Sequence, residues 1–530
     1  RAPPGSSPNA QPARGGPHAS GQPPPLLATA AMTRVMDASL GAHRARTSGL
    51  HLPAPLQPAH LSMVLMDILA AGQAMAEEDG DVAAAAAAVA AARGACFQDM
   101  KDTTVRVRNA ITSEELCLVR ARADDKVSVL IREASRALGD RGPPMALRIL
   151  FKDRVLDPYL TIAEAGLADG EATVLRSPLR LLTASLDGSA RLWDLDRRGE
   201  GEKRFVEFGG GPSAALSPNG EVLLTVAAVS GCGEGRLWNV PTGQEICRLP
   251  GAVTSGCFSR DGAYLVGAGS DGVARIWDAR TGLVVRKLEP SGEDAAARAD
   301  ADELQRALFS PDGRLVVVGY CNGAVALFDA ARGRRVALLD APDSEFVKLS
   351  RSGRLLLTGS RSGTARLWSL AAGSEGVRVE CRHELKGHGG DLSCVDVSSD
   401  EGLALTGSCD GTVRLWCTSS GELLTEIGER DSGGRCAVNS AVLSPDGGSV
   451  LVAFASEVLG MYNVSDGRCI RAFTGHDEWV RAVSFSPDGA TIATGHYDGR
   501  ARVWNAWTGT CLVELDGHEG AVVFAELAAR

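Results

Sequence analysis

The sequence lacks three features that mark common protein classes: cysteine pairs, basic blocks and long apolar runs. It has 13 cysteines, an odd number, and no Cys-x-x-Cys pair, which argues against a zinc site or a secreted disulfide framework. Its net charge is -10 and no basic block occurs, so the electrostatic footprint of a general nucleic-acid binder is missing. The most apolar segments, residues 61–75 and 82–92, are too short to cross a membrane. We therefore expect a cytoplasmic or nuclear protein with no membrane partner and without nucleic acid as its ligand.

Recognised enzyme motifs are missing as well. The sequence contains no P-loop, no glycine-rich dinucleotide turn after a strand, no His-Glu-x-x-His and no Gly-x-Ser-x-Gly. We expect no enzymatic activity, no cofactor and no bound metal.

The N-terminal segment, residues 1–102, is rich in Pro, Ala, Gly, Ser and Arg. Such a composition buries too little apolar surface to offset the entropy of the chain. We predict disorder with short helices at 61–75 and 82–92. The first arginines have the character of an organelle transit peptide, but the sequence begins at Arg1 rather than Met, which we interpret as an incomplete or mis-started product.

The rest of the chain is built from one repeated unit, best seen as GHDEWVRAVSFSPDGATIATGHYDGRARVW from Gly475 to Trp504. It predicts three short strands, residues 480–485, 490–494 and 501–504, separated by two tight turns. The aromatic residue that closes the third strand recurs at eight positions: Trp193, Trp238, Trp277, Phe328, Trp368, Trp416, Tyr462 and Trp504.

This repeat resembles the WD-repeat family, whose repeats are about 40 to 45 residues long. The resemblance implies a mainly β fold in which four-stranded blades stack into an eight-bladed propeller over residues 178–530. The turn between the first two strands occurs only seven times, however, because the first repeat starts directly at its second strand. We predict that the tail, residues 518–527, closes the ring as the innermost strand of the first blade.

The resemblance also implies buried hydrogen-bond sets made of Trp, Thr, His and Asp. By spacing, the sixth blade holds Trp416, Thr406, His388 and Asp410, and the eighth holds Trp504, Thr494, His476 and Asp498; the first holds Trp193, Thr183 and Asp187 and requires His518 from the tail. Thr, His and Asp also form catalytic triads. Their recurrence at the repeat spacing favours a structural role.

A second resemblance lies between residues 103 and 177. Two strands, a helix, a Pro143-Pro144 pair and the run ALRILFKDRVLDPYLTIAEAGLADGEATVLR from Ala146 to Arg176 are similar to ubiquitin, which implies a β-grasp domain. Its last strand continues through Pro178 instead of ending in a free Gly-Gly, so it is no transferable modifier. Leu150 occupies the place of ubiquitin's central patch isoleucine, either as a docking residue or as a local packing residue. We expect this domain to fold independently and to sit loosely beside the propeller.

These features predict a non-enzymatic scaffold or adaptor that binds proteins, with two finer hypotheses. LVGAGSDGVARIWDAR, residues 265–280, resembles the box by which some WD-repeat proteins dock on the adaptor of cullin-RING ligases. A ubiquitin-ligase substrate receptor would then use Trp277, Asp278 and Arg280, unless Arg280 only pairs with a surface acid. Alternatively, a ubiquitin-like domain before an eight-bladed propeller resembles the Notchless family of ribosome-assembly factors.

Overall fold

The structure is a computed structural model of the 530-residue chain. It describes residues 103–110, 112–138, 145–152, 154–167, 171–195, 201–206, 213–229, 232–251, 253–288, 304–373, 376–428, 436–456, 458–476 and 478–529. The segment for which we predict disorder, residues 1–102, lies outside the described residues. The described part contains one helix, α1 (Ser128–Leu138), which is not long and apolar enough to cross a membrane.

The first strands form a mixed sheet, called here the N-terminal sheet. Its strands are β1 (Thr103–Asn109), β2 (Glu115–Ala121), β3 (Met145–Phe151), β4 (Arg154–Val155) and β5 (Glu171–Ser185). They lie in the order β2-β1-β5-β3-β4; β1 and β5 are parallel and the other pairs antiparallel. Leu130, Ile131 and Ala134 recur at helical spacing on α1, so they form one apolar face that packs on the sheet core.

Strand β5 does not end with the N-terminal sheet. Its first half pairs with β1 and β3, and its second half continues without a break into the repeat region. Pro178 stands where the ladder to β3 ends, opposite Met145, and before the ladder to the C-terminal strand begins at Leu179. A proline is tolerated in a strand at such a transition. The predicted loose attachment is therefore wrong, because the boundary between 177 and 178 lies inside one continuous strand.

The repeats form eight four-stranded antiparallel sheets. Sheet 1 uses β5, β6 (Ser189–Asp194), β7 (Gly201–Val206) and the C-terminal strand described below. Sheets 2 to 4 follow in chain order: sheet 2 has β8 (Ser213–Leu216), β9 (Val222–Val229), β10 (Cys232–Asn239) and β11 (Gln244–Arg248); sheet 3 has β12 (Ser255–Phe258), β13 (Tyr264–Ala268), β14 (Ala274–Asp278) and β15 (Val284–Leu288); sheet 4 has β16 (Leu304–Phe309), β17 (Leu315–Tyr320), β18 (Val325–Asp329) and β19 (Arg335–Leu339).

The next two sheets have the same form: sheet 5 has β20 (Ser344–Leu349), β21 (Leu355–Ser360), β22 (Ala365–Gly373) and β23 (Gly376–Leu385); sheet 6 has β24 (Leu392–Val397), β25 (Leu403–Ser408), β26 (Thr412–Cys417) and β27 (Leu423–Gly428). The last two are sheet 7, with β28 (Val438–Leu443), β29 (Ser449–Phe454), β30 (Leu459–Asn463) and β31 (Cys469–Phe473), and sheet 8, with β32 (Val480–Phe485), β33 (Thr491–His496), β34 (Ala501–Asn505) and β35 (Cys511–Leu515).

The C-terminal strand, β36 (Val522–Ala529), completes sheet 1. It pairs antiparallel with β5, with Ala525 opposite Thr183 and Leu527 opposite Leu181. Each sheet packs on the next through a buried apolar cluster, and the cluster that joins sheet 8 to sheet 1 contains Val503 and Leu181. The sheets therefore form a closed ring, with the tail in the position that the vacancy in the first repeat predicts.

The two faces of the ring are chemically different. The lower face carries the turns between the first and second strands and between the third and fourth strands of each sheet. At Ser310, for example, the hydroxyl donates to Asp312 (2.6 Å) and accepts from the Leu315 N–H (2.9 Å), while Gly313 supplies the positive φ that the turn requires. The upper face carries the turns between the second and third strands and the loops that link the sheets.

Removing the tail should destabilise the ring. A chain that ends at Asp516 loses β36, including the buried side chains of Val522 and Leu527, each worth about 1.5 to 3 kcal/mol. We expect a loss of about 3 to 6 kcal/mol in the free energy of unfolding, measured by denaturant titration. A chain that ends at Leu527 is the control, because it keeps most of the strand. Equal stability of the long truncation and the full chain would contradict ring closure by the tail.

Candidate functional site

The tail supplies a histidine to a buried hydrogen-bond set in sheet 1. Trp193 Nε1 donates to Thr183 Oγ1 (2.9 Å), Thr183 Oγ1 lies 2.8 Å from His518 Nε2, and His518 Nδ1 lies 3.2 Å from Asp187 Oδ2. Burial raises the pKa of Asp187, but hydrogen bonds from Ser189 and from the Glu519 N–H outweigh it and lower that pKa to about 2. The carboxylate thus stays charged and accepts from Nδ1–H, which leaves Nε2 to accept the Thr183 hydroxyl proton.

This order of groups is that of a catalytic triad, but the hydroxyl is closed to a substrate. The Thr183 side chain is fully buried, and the Trp193 N–H already occupies its oxygen. A nucleophile must reach its substrate, so this set holds the first sheet and the tail together.

Sheet 6 contains the same arrangement. Trp416 Nε1 donates to Thr406 Oγ1 (2.9 Å), and the two nitrogens of His388 lie 2.8 Å from Thr406 Oγ1 and 3.0 Å from Asp410 Oδ2. Burial lowers the pKa of His388 despite the nearby carboxylate, which favours the neutral ring. The structure brings together all four residues that the spacing assigns to this set.

The set predicted for sheet 8 is wrong in two members, His476 and Asp498. Thr494 Oγ1 accepts from Trp504 Nε1 (3.0 Å) but pairs with His496 Nε2 (2.8 Å), not with His476. His496 follows Thr494 by two residues on β33, so both side chains point to the same face of the strand. His476 instead stacks on His496 with ring centroids 4.9 Å apart. Asp498 accepts from the Arg500 N–H (2.8 Å) and not from a histidine.

The three residues of the predicted adaptor site differ in exposure and in the contacts they make. Trp277 is 1% exposed, and a Cβ on Gly267 would lie 2.8 Å from its ring, so this indole belongs to the core. Asp278 caps its own turn, because Oδ1 accepts from the N–H groups of Arg280 (3.1 Å) and Thr281 (2.8 Å). Trp277 thus has a packing role in the core, and Asp278, which stays partly exposed, has a structural role in its turn. Arg280 is exposed on the lower face; its guanidinium makes no ion pair within 4.0 Å among the described residues, but its charge contributes to the lowered pKa of Asp278, after the Thr281 hydrogen bonds.

Leu150 lies on the open face of the N-terminal sheet. Strand alternation turns Ile149 into the core beneath the helix and leaves Leu150 half-buried on the other side. Its cross-strand neighbours are Val155 and Thr173. Leu118, 58% exposed, stands on the same face, with β1 and β5 between its strand and that of Leu150. The propeller covers part of this face at Ala146, whereas Leu118 stays exposed.

The N-terminal sheet is bound to the lower face of the ring by polar contacts. Arg351, in the first turn of sheet 5, pairs with Asp157 (2.7 Å) and stacks over the Tyr159 ring at 3.8 Å. The Leu147 N–H donates to Asp488 of sheet 8 (2.5 Å), whose pKa is raised by burial. Turns of the two intervening sheets add the ion pairs Lys126–Asp400 (3.1 Å) and Arg132–Asp446 (3.9 Å). Four successive sheets thus hold one small sheet.

A cavity of about 510 Å³ remains between this sheet and the ring. Its walls are mainly apolar, with Leu156, Leu182 and Leu216 among them, and Glu526 of the inner strand β36 adds a carboxylate whose pKa burial raises. Within the residues that the structure describes, no three His, Cys, Asp or Glu side chains converge as a metal site.

An exposed aromatic pair on the upper face, Trp479 and Tyr497, is not predicted by the repeat spacing. Their rings meet edge to face, with centroids 5.9 Å apart. A comparison of the repeats contains the signal: Trp479 takes the place of Asp391 in the sixth repeat, and Tyr497 takes that of Cys409. Large aromatics at turn positions that do not close a strand mark a surface rather than a core.

The family model described as "WD domain, G-beta repeat" matches residues 243–278, 341–369, 379–417 and 467–505. Each match ends one residue after the aromatic that closes the third strand, in sheets 3, 5, 6 and 8. The chain contains WD40 repeats. The eight four-stranded sheets are the architecture of a WD40 propeller.

Several curated proteins resemble part of this chain. It is 29% identical over 197 residues to Pre-mRNA-processing factor 19 of Oryza sativa subsp. japonica, which covers 37% of this chain and 36% of that protein. It is 28% identical over 198 residues to Autophagy-related protein 16 of Arabidopsis thaliana, covering 36% and 37%. It is also 28% identical over 210 residues to a Guanine nucleotide-binding protein subunit beta of Oryza sativa subsp. indica, covering 36% and 53%. The chain spans about a third to a half of the length of these relatives.

Replacing Arg351 by Ala should loosen the N-terminal sheet from the WD40 ring. The variant loses an exposed ion pair, worth about 0 to 1 kcal/mol, and a cation–π contact worth about 0.5 to 1 kcal/mol. We expect amide hydrogen exchange in residues 157–162 to become about fivefold faster, which corresponds to about 1 kcal/mol of local opening.

Arg314→Ala is the matched control for this experiment. Arg314 lies in the corresponding turn of sheet 4, is 83% exposed and faces only Asp312, at 3.9 Å. If the amide exchange rates of residues 157–162 are unchanged in Arg351→Ala, or change equally in both variants, the Arg351 contacts do not hold the N-terminal sheet on the ring.

Proposed function

We propose that this protein is a non-enzymatic scaffold that binds other proteins through its WD40 propeller. The observation that carries the proposal is the exposed aromatic pair Trp479 and Tyr497 on a ring whose triad-like sets in sheets 1 and 6 are buried and hydrogen-bonded within themselves. Large exposed apolar groups on a rigid frame are typical of protein interfaces. The names of the relatives refer to pre-mRNA processing, autophagy and guanine nucleotide binding. Such different processes support a common fold that binds different partners rather than a common catalytic reaction.

The N-terminal sheet would serve as a ubiquitin-like docking module. Its strand order, with β1 and β5 parallel at the centre and one helix across the sheet, supports that assignment. The half-buried Leu150 and the exposed Leu118 would form the recognition face. Strand β5 passes directly into sheet 1, so the module would act only in place. The free thiols of the described cysteines support a cytoplasmic or nuclear location.

A ubiquitin-ligase substrate receptor is the finer proposal, and it depends on Arg280. The Arg280 guanidinium is exposed on the lower face, away from the turns of sheets 5 to 8 that bind the N-terminal sheet. A partner carboxylate could bind it in a bidentate, charge-assisted contact. Trp277 and Asp278 would support that contact only by fixing the turn.

Arg280→Ala should then weaken binding of the cullin-ligase adaptor by about 1.5 to 3 kcal/mol, because a charge-assisted hydrogen bond is lost. Fold stability should hardly change, since the side chain is exposed. Co-precipitation of the adaptor with the full chain measures this. Arg332→Ala is the control, because Arg332 lies in the equivalent turn of sheet 4 and pairs with Asp329 at 3.1 Å. Equal recovery from both variants, or no adaptor from the unaltered chain, would remove the receptor proposal and leave the scaffold.

A ribosome-assembly factor similar to the Notchless family is the alternative. The order of the units favours it, since a ubiquitin-like sheet precedes eight propeller sheets in one chain. Proximity labelling with the full chain separates the two proposals. Pre-ribosomal proteins in the nucleolus would support this alternative, whereas ligase subunits would support the receptor.

A further inference from the structure

The loops of the upper face where sheet 8 meets sheet 1 carry exposed apolar side chains, called here the upper patch. Its apolar members are Leu186, Trp479 and Tyr497, which are 52%, 48% and 42% exposed. The Tyr497 N–H donates to the Trp479 carbonyl (3.1 Å), so a backbone hydrogen bond fixes the two aromatic loops to each other. The pair is therefore positioned before any partner arrives.

Close backbone contacts join the two sheets beneath the patch. A Cβ on Gly499 would overlap the carbonyl oxygen of His518, and a Cβ on Gly520 would lie 2.8 Å from the Asp187 nitrogen. The Leu186 N–H donates to the Ala521 carbonyl at 2.9 Å. Ring closure by the tail thus joins the turn that carries Leu186 to the turn that carries Tyr497 through the loop of residues 518–521.

The patch has acidic neighbours whose charges are not neutralised. Glu478, Asp516 and Glu519 are exposed, and none of them forms an ion pair with the residues that the structure describes. The basic groups Arg500 and Arg502 are engaged by Glu514 (3.0 and 3.1 Å) and by Asp498. Arg481, exposed on the inner strand β32, is the basic side chain that follows Trp479. Three free carboxylates against one free guanidinium leave the surroundings of the patch negative.

We propose that the upper patch binds a basic peptide segment in which Lys or Arg stands next to apolar residues. Aromatic faces attract cations and also cover the aliphatic stems of Lys and Arg. Glu478 and Glu519 lie on the two loops that flank the aromatic pair, where their carboxylates pair with the cationic head groups. This inference rests on the proposed scaffold function and names the partner chemistry of its upper face.

A displayed library of random 12-residue peptides, selected on the full immobilised chain, tests the proposal. We expect selected peptides to be enriched in Lys and Arg beside Leu, Ile or aromatic residues, by at least about threefold over the input library. The strongest peptide is then synthesised and its Kd is measured by fluorescence anisotropy. Raising NaCl from 50 to 300 mM should weaken binding, since the charged groups are exposed.

Two matched pairs of variants locate the site. Tyr497→Ala should weaken the peptide by about tenfold, whereas Tyr264→Ala, at an equally exposed tyrosine (42%) in sheet 3, should change the Kd by less than about twofold. Glu519→Gln should weaken it by about threefold, and Glu422→Gln, at an exposed acid in the lower turn of sheet 6, should have no effect. Thermal unfolding of each variant checks that the ring is intact.

Two outcomes would overturn the proposal. One is selection of acidic or purely apolar peptides, or of none. The other is a basic peptide whose Kd is the same for Tyr497→Ala and Tyr264→Ala. Neither outcome removes the scaffold function, which is tested independently by proximity labelling of the full chain. If labelling finds no protein partner while the basic peptide binds as expected, the scaffold proposal fails and the peptide site stands.

Discussion

Strand β5 is the element on which the structure depends, because it belongs to two sheets at once. Residues of its first half pair with β1 and β3, and residues of its second half pair with β6 and β36. Backbone groups in a buried strand need partners on both edges. The second half obtains its inner partner only when the tail returns from the far end of the chain. Closure of the ring, delivery of His518 and attachment of the N-terminal sheet are therefore consequences of the same ladder.

Because β5 joins the N-terminal sheet to the ring, the lower and the upper face of the ring have different roles. The N-terminal sheet is held over part of the lower face by the turns of sheets 5 to 8, where Arg351 and Asp488 make its shortest contacts. Ring closure simultaneously builds the upper patch, because the loop that carries His518 also supports Leu186 and packs under Gly499. The open upper face and the exposed Arg280 turn remain for partners.

Much of the fold can be predicted from the sequence, because the patterns that define each repeat are local. A turn residue, a closing aromatic and their spacing identify each repeat, and a count of turns against aromatics locates the vacancy that β36 fills. Other features depend on which groups reach each other in space. Spacing alone cannot decide between His476 and His496 as partner of Thr494, or show that Asp278 caps its own turn. The sequence predicts a domain loosely attached before Pro178, yet this residue stands between two ladders of one strand. The exposure of Trp479 is a property of the assembled surface.

Native-state hydrogen exchange of the tail tests the central claim most directly, namely that β36 is an integral strand of sheet 1. The alternate amides of Val522–Ala529 that donate to β5, and those of Leu181 and Thr183 within β5, should be protected to the same degree and to the level of sheet 8, since they open only when the ring opens. Rapid exchange of the tail beside a fully protected sheet 8 would contradict closure, and with it the shared origin of the buried histidine set and the upper patch.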